Sequence, residues 1–357
     1  MTQLLRLDDF ERLPLSWTGS IGDGLSAALD AVADAGPDSH RFLRYQWFSA
    51  ALEAYGGPAQ TIVVASEMGP GIALPLIATF AWLGLAMLPG SFWPFRSFPS
   101  ATRDPAAWDA LLATVARAFR AVRIGPIYAD DPALRPLLSA ARRAGWAALP
   151  RTVGESFLLD IAAQRAEGAW PRGSTLRKNR FHEKHLAEHG TLSWEFVERF
   201  DDAAFADLAA VEQASWIASR TDGSDAKFTA AGHGAFWRAA ARDPVIADML
   251  HAALLRVDGE PAAFSFDLDA GATKYAIANS YDPAFAKHSP GKLLYYRNLT
   301  DAIERGIDRV DWGLGDSGYK RTIGADRGPD VQDWLLLRPG LPAAAGGLIR
   351  NAWARSG

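Results

Sequence analysis

Hydrophobic and polar positions in the first half of the chain alternate between a helical period and a strand period. Apolar residues recur every three or four positions in some segments, and at every second position or in short runs in others. The predicted helices cover residues 24–35, 44–55, 108–120 and 132–144, and the predicted strands cover 61–65, 72–77, 82–88, 122–128 and 155–161. This alternation predicts an α/β fold.

The second half continues with both periods. Its predicted helices cover residues 174–189, 202–216 and 229–242 and a segment starting at Pro290, and its predicted strands cover 192–197, 249–257, 261–268, 274–281, a segment at Val310 and 334–337. Asp258-Gly259 and Ala270-Gly271 predict turns between successive strands, so the order of elements predicts a mixed sheet. The small and polar stretch 161–174 predicts a boundary between domains of residues 1–165 and 166–357.

Composition restricts the function classes. The 357 residues are 49% hydrophobic and 22% charged, which suits a soluble globular protein with two cores. A net charge of −4 argues against a nucleic-acid-binding protein. The absence of cysteine excludes disulfides, thiolate metal ligands and a cysteine nucleophile. The first residues carry charges among the apolar ones, unlike a signal peptide, so we expect a cytoplasmic location.

A helix start at residues 289–292 is the first candidate site. Ser289 suits an N-cap, Pro290 suits the first helical position, and Gly291 would let a ligand approach the backbone. The free N–H groups of the first turn and the ammonium of Lys292 together predict an anion site. An ordinary capped surface helix is the alternative.

A polar turn after the next strand is the second candidate site. Apolar and polar residues alternate in strand fashion through 310–314, and four further residues crowd the strand exit: Asp316, Gly318, Tyr319 and Lys320. Ionisable groups at the end of a buried strand are candidates for catalysis. A glycine-rich turn in which the Asp and Lys only pair with each other is the alternative.

The two motifs together resemble a known family. The order YDPxFxxxSPGxLL followed by DWGxGDxxYK resembles the GNAT-fold acyltransferases of the CelD-like (BcsL-like) group, relatives of the FemAB transferases, over residues 165 to 340. The resemblance implies two GNAT-like domains, each a mixed twisted sheet flanked by helices. It also implies acyl-CoA as a co-substrate and no permanently bound cofactor. The Q/R-x-x-G-x-G/A loop of typical GNAT acetyltransferases is missing, so the donor's acyl group stays open.

In such proteins the region matching Ser289, Gly291, Lys292 and Leu293 lies at the donor's phosphates, and Tyr281 precedes it where the thioester meets the amine. The basic helix at 174–189 is a second candidate for holding an anionic donor or an anionic membrane surface, although a solvated face is the simpler interpretation. Its candidate donor ligands are Arg177 and Arg180, and His182 is a candidate substrate ligand. His182, His185 and His189 share one face, but nothing completes a metal-ligand pattern, so we expect no metal.

The segment between Glu67 and Arg96 contains no charged side chain. Its prolines and glycines disfavour a transmembrane helix, which leaves two interpretations: buried strands, or an apolar wall for a long acyl chain. In the second interpretation the aromatic residues form a rim and Arg96 faces lipid headgroups, as a peripheral contact at the inner membrane. The rim residues would be Phe92, Trp93, Phe95 and Phe98.

Attack of an amine on a thioester needs a base for the amine, donors for the oxyanion and a proton for the thiolate. We predict Asp311 or Asp316 as the base, with Glu212 as a reserve. Tyr319 is the predicted general acid, and Lys320 the predicted stabiliser of negative charge. Trp216 lies one helical turn after Glu212 and is a candidate substrate ligand.

These observations predict an acyl-CoA-dependent N-acyltransferase that acts on a lipid-like amine. The sharpest form of the hypothesis is a ceramide-synthase-like enzyme that acylates a sphingoid base, because the resemblance is combined with an apolar N-terminal surface. The alternatives are acyl transfer to an amino sugar or exopolysaccharide precursor, aminoacyl-tRNA-dependent transfer of the FemAB type, and a non-catalytic GNAT-fold scaffold in an envelope-synthesis complex.

Overall fold

A computed structural model of the protein describes residues 15–80, 84–90, 93–215, 226–229, 232–315, 318–340 and 343–355. Within these ranges the strands are β1 (Thr18–Asp23), β2 (Ala59–Ser66), β3 (Gly69–Phe80), β4 (Leu85–Met87), β5 (Ala121–Tyr128), β6 (Ala147–Asp160), β7 (Leu192–Phe196), β8 (Leu250–Val257), β9 (Glu260–Ala270), β10 (Thr273–Tyr281), β11 (Arg309–Leu314) and β12 (Asp326–Leu337).

The α-helices of the described residues surround these strands. They are α1 (Ala28–Ala35), α2 (Tyr45–Tyr55), α3 (Pro105–Ala118), α4 (Leu134–Arg143), α5 (Ile161–Glu167), α6 (Gly173–Leu186), α7 (Asp202–Ala214), α8 (Gly234–Ala240), α9 (Pro244–Met249), α10 (Pro290–Glu304), α11 (Tyr319–Thr322) and α12 (Ala343–Arg355). No helix in the described part of the chain is long and apolar enough to cross a membrane.

All of these strands form one sheet in the order β1-β2-β3-β4-β5-β12-β6-β11-β10-β9-β8-β7. The pairs β4–β5 and β10–β11 are parallel, and the other pairs are antiparallel. The predicted mixed α/β fold is confirmed. The division into domains of residues 1–165 and 166–357 stays a prediction, because one sheet runs through both halves.

The two halves are joined by β12, which lies between β5 and β6 and pairs with both. A buried ion pair fixes this position. The carboxylate of Asp333, on β12, is fully buried and accepts from Arg123 on β5 and from Arg151 on β6. One acidic side chain therefore ties three neighbouring strands together.

Apolar side chains fill both faces of the sheet. One large cluster joins helices of both halves and includes Trp47, Phe236, Trp237 and Phe266. A second lies in the N-terminal half around Trp108, and smaller clusters pack beneath α10. The first cluster spans the predicted domain boundary, so the halves share a core as well as a sheet.

The predicted elements agree with the structure where apolar alternation is strong. Several differences lie in polar stretches: β6 starts at Ala147 rather than near 155, β12 starts at Asp326 rather than near 334, and β1 is not among the predicted strands. The helices α5, α9 and α12 are not among the predicted helices either, and α5 lies in the stretch predicted as a domain boundary. The strand segments in question, such as TGSIGD in β1, have little apolar alternation. Their strand form follows from hydrogen bonds to partners distant in sequence.

We expect Asp333→Asn to lower the free energy of unfolding by about 3 to 5 kcal/mol, because it leaves two guanidinium groups without a buried countercharge. The measurement is a urea denaturation midpoint followed by circular dichroism. Asp109→Asn is the control, since its ion pair with Arg143 is 44 to 49% exposed and should contribute less than about 1 kcal/mol. Equal changes of the urea denaturation midpoint in the two variants would contradict the stabilising role of the buried Asp333 ion pairs.

Candidate active site

The centre of the C-terminal half is a gap between β10 and β11. These parallel strands pair over three positions, residues 273–275 with 309–311, and then separate. A bulge at 276–278 bends β10, and Gly313, with φ of 69°, bends β11. Below, "the strand gap" means the space between the two strands beyond Tyr275 and Asp311.

Asp311 lies where the two strands separate. It is 5% exposed, and its Oδ1 accepts the Gly313 N–H at 2.7 Å. Burial raises the pKa of Asp311 to about 6, although the Gly313 N–H, Tyr128 and the charge of Lys320 oppose the rise. A carboxyl group with this pKa can gain and lose a proton near neutral pH.

The aromatic rings beside Asp311 show how strongly the sheet curves. The rings of Tyr128, on β5, and Tyr275, on β10, lie 6.3 Å apart, although three strands separate β5 from β10 in the sheet. In a flat sheet that separation would be about 19 Å. The sheet therefore closes into a cleft, and the N-terminal half brings Tyr128 to the carboxylate of the C-terminal half.

Tyr319 lies on the other face of the sheet. Its ring contacts Trp312 edge-on at 5.4 Å, and Trp312 packs on Tyr295 of α10. Desolvation raises the pKa of Tyr319, and the buried carboxyl of Asp267 adds to the rise, even though the residue as a whole is 43% exposed. Its phenol is therefore protonated at neutral pH. Asp311 and Tyr319 border the strand gap from opposite faces.

Lys320 holds the end of β11. Its Nζ donates to the carbonyls of Gly313 at 3.0 Å and Leu314 at 2.9 Å, and it lies 5.5 Å from the ring centre of Phe157. The lysine is 7% exposed and lies close enough to lower the pKa of Asp311. These bonds fix the bend beside the gap. Asp316, the alternative base, lies outside the described residues.

The helix start at 289–292 has the predicted position but a different local geometry. Ser289 precedes α10 with left-handed φ and ψ of 53° and 48°, and its side chain makes no capping hydrogen bond, so the predicted side-chain cap is wrong. A Cβ on Gly291 would lie 2.8 Å from Asn279 Oδ1 and 3.1 Å from Tyr281 Cδ1. Gly291 thus allows α10 to pack closely on β10.

A group of cations from three elements surrounds this helix start. We call Lys178, His182, His288 and Lys292 the basic patch. Burial lowers the pKa of Lys292, and the charge of Lys178 lowers it further. Burial also lowers the pKa of His182, followed by the charges of Lys178 and Lys292. Basic groups crowded in this way would favour a bound anion, which would offset their mutual repulsion.

The other predicted donor ligands lie around the same helices. Arg177 is exposed on α6, and Arg180 and Leu293 line a groove of about 580 Å³ between α6, β7 and α10. His189 and His288 approach with Nε2 atoms 3.0 Å apart, and His185 contacts the Phe181 carbonyl. In the described ranges no group of three His, Asp or Glu side chains is placed to hold a metal ion.

Glu212 is a buried residue with backbone partners. It is 1% exposed, its Oε1 accepts the Lys227 N–H at 2.7 Å, and its Oε2 accepts the Phe228 N–H at 2.9 Å. Burial raises its pKa. These bonds indicate that Glu212 holds the segment at 226–229 in place. Trp216, the candidate substrate ligand one turn after Glu212, lies outside the described residues.

The uncharged segment before Arg96 reaches the strand gap from the N-terminal half. Trp93 lies 3.6 Å from the position a Cβ on Gly313 would take, and the Lys227 Nζ lies 4.5 Å from its ring centre. Phe95 packs edge-on against Tyr128 and Tyr275 at 5.5 and 5.6 Å. This segment thus supplies part of the wall beside Asp311.

The predicted exposed rim is wrong for two of its members. Phe95 and Phe98 are 2% and 0% exposed, because Phe95 fills the cluster beside the gap and Phe98 packs against Trp108 in the N-terminal cluster. Arg96 does not face headgroups: burial lowers its pKa, and its Nε is buried. Phe92 lies outside the described residues.

Sequence reasoning missed Tyr128, Tyr275 and Asp130. Tyr128 ends a buried strand and is followed by two aspartates, the same signal of polar groups at a strand exit that identified 316–320. The polar residues that follow Tyr128 are therefore visible in the sequence. Nothing in the neighbouring sequence, however, indicates that the end of β5 lies close to β11.

Residues 173–321 match the family model described as acetyltransferase (GNAT) domain. A search of curated proteins found no match. The family match confirms the predicted enzyme class, N-acyltransferase. Acyl-CoA is the co-substrate of this family.

Solved structures resemble the whole chain in fold. FemX aligns with a TM-score of 0.60 at 12% identity, covering 93% of this chain and 100% of its own. A conserved protein of unknown function from Bacteroides thetaiotaomicron aligns with a TM-score of 0.55 at 13% identity, covering 89% and 100%. The C-terminal DUF2156 domain of an Agrobacterium fabrum protein, provisionally a lysylphosphatidylglycerol synthetase, aligns at 0.50 and 17%, covering 91% and 95%. These similarities concern the fold alone.

We expect Gly291→Ala to lower the free energy of unfolding by about 1 to 3 kcal/mol, because the added methyl group pushes α10 away from Asn279 and Tyr281. Thermal and urea unfolding measure the change. Gly173→Ala is a matched control at the start of α6, where an added Cβ meets no atom within 4 Å, and should change stability by less than about 0.5 kcal/mol. If neither substitution changes the free energy of unfolding, the close packing of α10 on β10 at Gly291 is contradicted.

Proposed function

We propose that the protein transfers an acyl group from acyl-CoA to a primary amine and so forms an amide. The observation that carries the proposal is the position of Asp311, a buried carboxyl group with a pKa of about 6 at the point where two parallel strands separate. Such a group can accept the proton of an attacking amine.

The donor's phosphates would bind at the start of α10. The helix dipole and the basic patch both favour an anion there. Arg177 and Arg180 of α6 are further candidates for the charged end of the donor. The helix start follows β10 after a short 3₁₀ helix (Pro283–His288), and Gly291 lies against Asn279 and Tyr281 of β10. A donor bound there could therefore extend its acyl end along β10 past Tyr281 into the strand gap.

In the gap the amine nitrogen would attack the thioester carbonyl. Asp311 would accept a proton from the amine, the new C–N bond would form and the C–S bond would break. Tyr319, kept protonated by its raised pKa, would give its proton to the leaving thiolate. Lys320 would act mainly through the carbonyls it binds, which fix the bend of β11, and through its charge near Asp311.

For the acceptor we propose an amine on an apolar, lipid-like body, with a sphingoid base as the specific candidate. The half-buried groups beside Asp311 support this choice, because Trp93, Tyr275, Ala278 and Leu314 present mainly carbon to the cleft. An amino sugar is the competing acceptor, since aromatic rings also stack on sugars.

We expect Asp311→Asn to lower kcat/KM by about 10² to 10⁴-fold, because the amine loses its base. In the unmodified enzyme kcat/KM should fall as pH decreases through about 6, since protonated Asp311 cannot accept a proton. This fall should be absent in the variant. The measurement is a pH series of initial rates of CoA release.

The pH series also separates Asp311 from the buried Asp267, whose pKa is raised to about 6 as well. If kcat/KM of Asp311→Asn still falls as the pH decreases through about 6, another group causes the fall. Asp316→Asn is measured in the same pH series. Near-normal turnover in both variants would overturn the proposed base.

Acceptor identity is tested by mass spectrometry of products. Acetyl-CoA and palmitoyl-CoA are each offered with sphinganine or with glucosamine. We expect an amide on sphinganine, because the wall beside Asp311 is mostly carbon. Amide formation on glucosamine alone would contradict the proposed lipid-like acceptor. It would still support acyl transfer to an amine as the reaction.

A further inference from the structure

We infer that the outer surface of α6 binds anionic lipid headgroups and holds the enzyme at a membrane surface. Below, "the α6 surface" means Arg177, Arg180, Phe181 and Lys184, which are all exposed. The inference goes beyond the proposed function and does not depend on it, because membrane binding is measured without turnover. Such binding would bring the enzyme to the bilayer in which a lipid-like acceptor is dissolved.

Helix α6 packs against the protein with one side. Asn179 and Leu186 are its buried residues, at 9% and 0% exposed, and Glu183 forms an ion pair with Arg297 of α10 at 2.6 Å. The four members of the α6 surface occupy positions i, i+3, i+4 and i+7, so they share the opposite side of the helix. This side is open to solvent.

The α6 surface is basic in an acidic protein. Residues 172–189 contain five Lys and Arg against two Glu, whereas the whole chain has a net charge of −4. In the described part of the chain, Arg177, Arg180 and Lys184 make no ion pair with a carboxylate. Each unpaired Lys or Arg near an anionic membrane adds to the attraction between them. The charge of this face therefore complements an anionic lipid surface.

An exposed aromatic side chain lies among these cations. Phe181 is 60% exposed, and its ring lies 4.3 Å from that of His185 on the same helix. A bound phosphate would leave this apolar ring in water, whereas a bilayer would take it up between the headgroups. Single-stranded nucleic acid binds in basic grooves with several stacking rings. One aromatic ring on a convex basic helix therefore favours a membrane as the partner.

The α6 surface borders the proposed donor site without overlapping the basic patch. Lys184 is two positions after His182 on the helix, so the two side chains face different directions. The 3₁₀ helix Pro283–His288, which leads to α10, contacts α6 and adds the exposed Lys287. A membrane bound at the α6 surface would thus lie beside the start of α10.

The test is sedimentation of the protein with vesicles of phosphatidylcholine alone or of phosphatidylcholine mixed with phosphatidylglycerol. We expect binding to the anionic vesicles, little binding to the neutral ones, and weaker binding as the salt concentration rises. Lys184→Glu should lower the partition coefficient by roughly tenfold or more, because it replaces an attracted charge with a repelled one. Phe181→Ala should lower it severalfold, because the inserted ring is lost.

Two matched variants control for net charge and for apolar area. Arg142→Glu makes the same charge change at an exposed cation of α4, and Met68→Ala removes an apolar side chain that is 81% exposed between β2 and β3. Both should bind anionic vesicles as the unmodified protein does. Circular dichroism verifies that each variant is folded.

The inference is overturned if the unmodified protein binds neutral and anionic vesicles alike or binds neither. Equal vesicle binding by Lys184→Glu and Arg142→Glu would overturn it as well. Binding of transfer RNA that is lost in Lys184→Glu, without vesicle binding, would identify a nucleic acid as the partner instead. Vesicle binding that depends on Lys184, with no amide formed on any acceptor, would support the inference and contradict only the proposed function.

Discussion

The insertion of β12 between β5 and β6 is the constraint on which the rest of the structure depends. A strand near the end of the chain completes the sheet of the first half, and Asp333 binds arginines of both neighbouring strands. Because a buried carboxylate is costly without its partners, this arrangement favours one register of the three strands. The two halves are thereby held in a fixed relation, and the cleft between them keeps its shape.

The fixed position of the two halves determines which side chains surround the strand gap. Curvature of the sheet brings Tyr128 to Asp311 across strands that would be far apart in a flat sheet. Burial alone would favour a neutral carboxyl at Asp311, and the hydrogen bonds and Lys320 oppose this tendency. The balance leaves a pKa of about 6. The proposed base is therefore poised by contacts from both halves of the molecule.

Helix α10 joins this centre to the basic patch. Its first turn faces cations of α6, while its inner face packs on β8, β9 and β10. Gly291 permits close packing on β10, so the helix start lies against the strand that borders the gap. A donor bound by its phosphates at this start would thus have its reactive end directed by the same helix and strand. The proposed donor site and the proposed reaction site are therefore connected through α10 and β10.

The sequence by itself determined the elements with strong apolar periods, the helix start at Pro290 and the strand exit that carries Asp311, Tyr319 and Lys320, because these features depend on neighbours along the chain. Tertiary contacts decide that polar segments such as 326–330 are strands, that Phe95 lies in the core, and that the ring of Tyr128 lies beside Tyr275. Strand pairing and sheet curvature join residues far apart in sequence, and such contacts leave no local pattern.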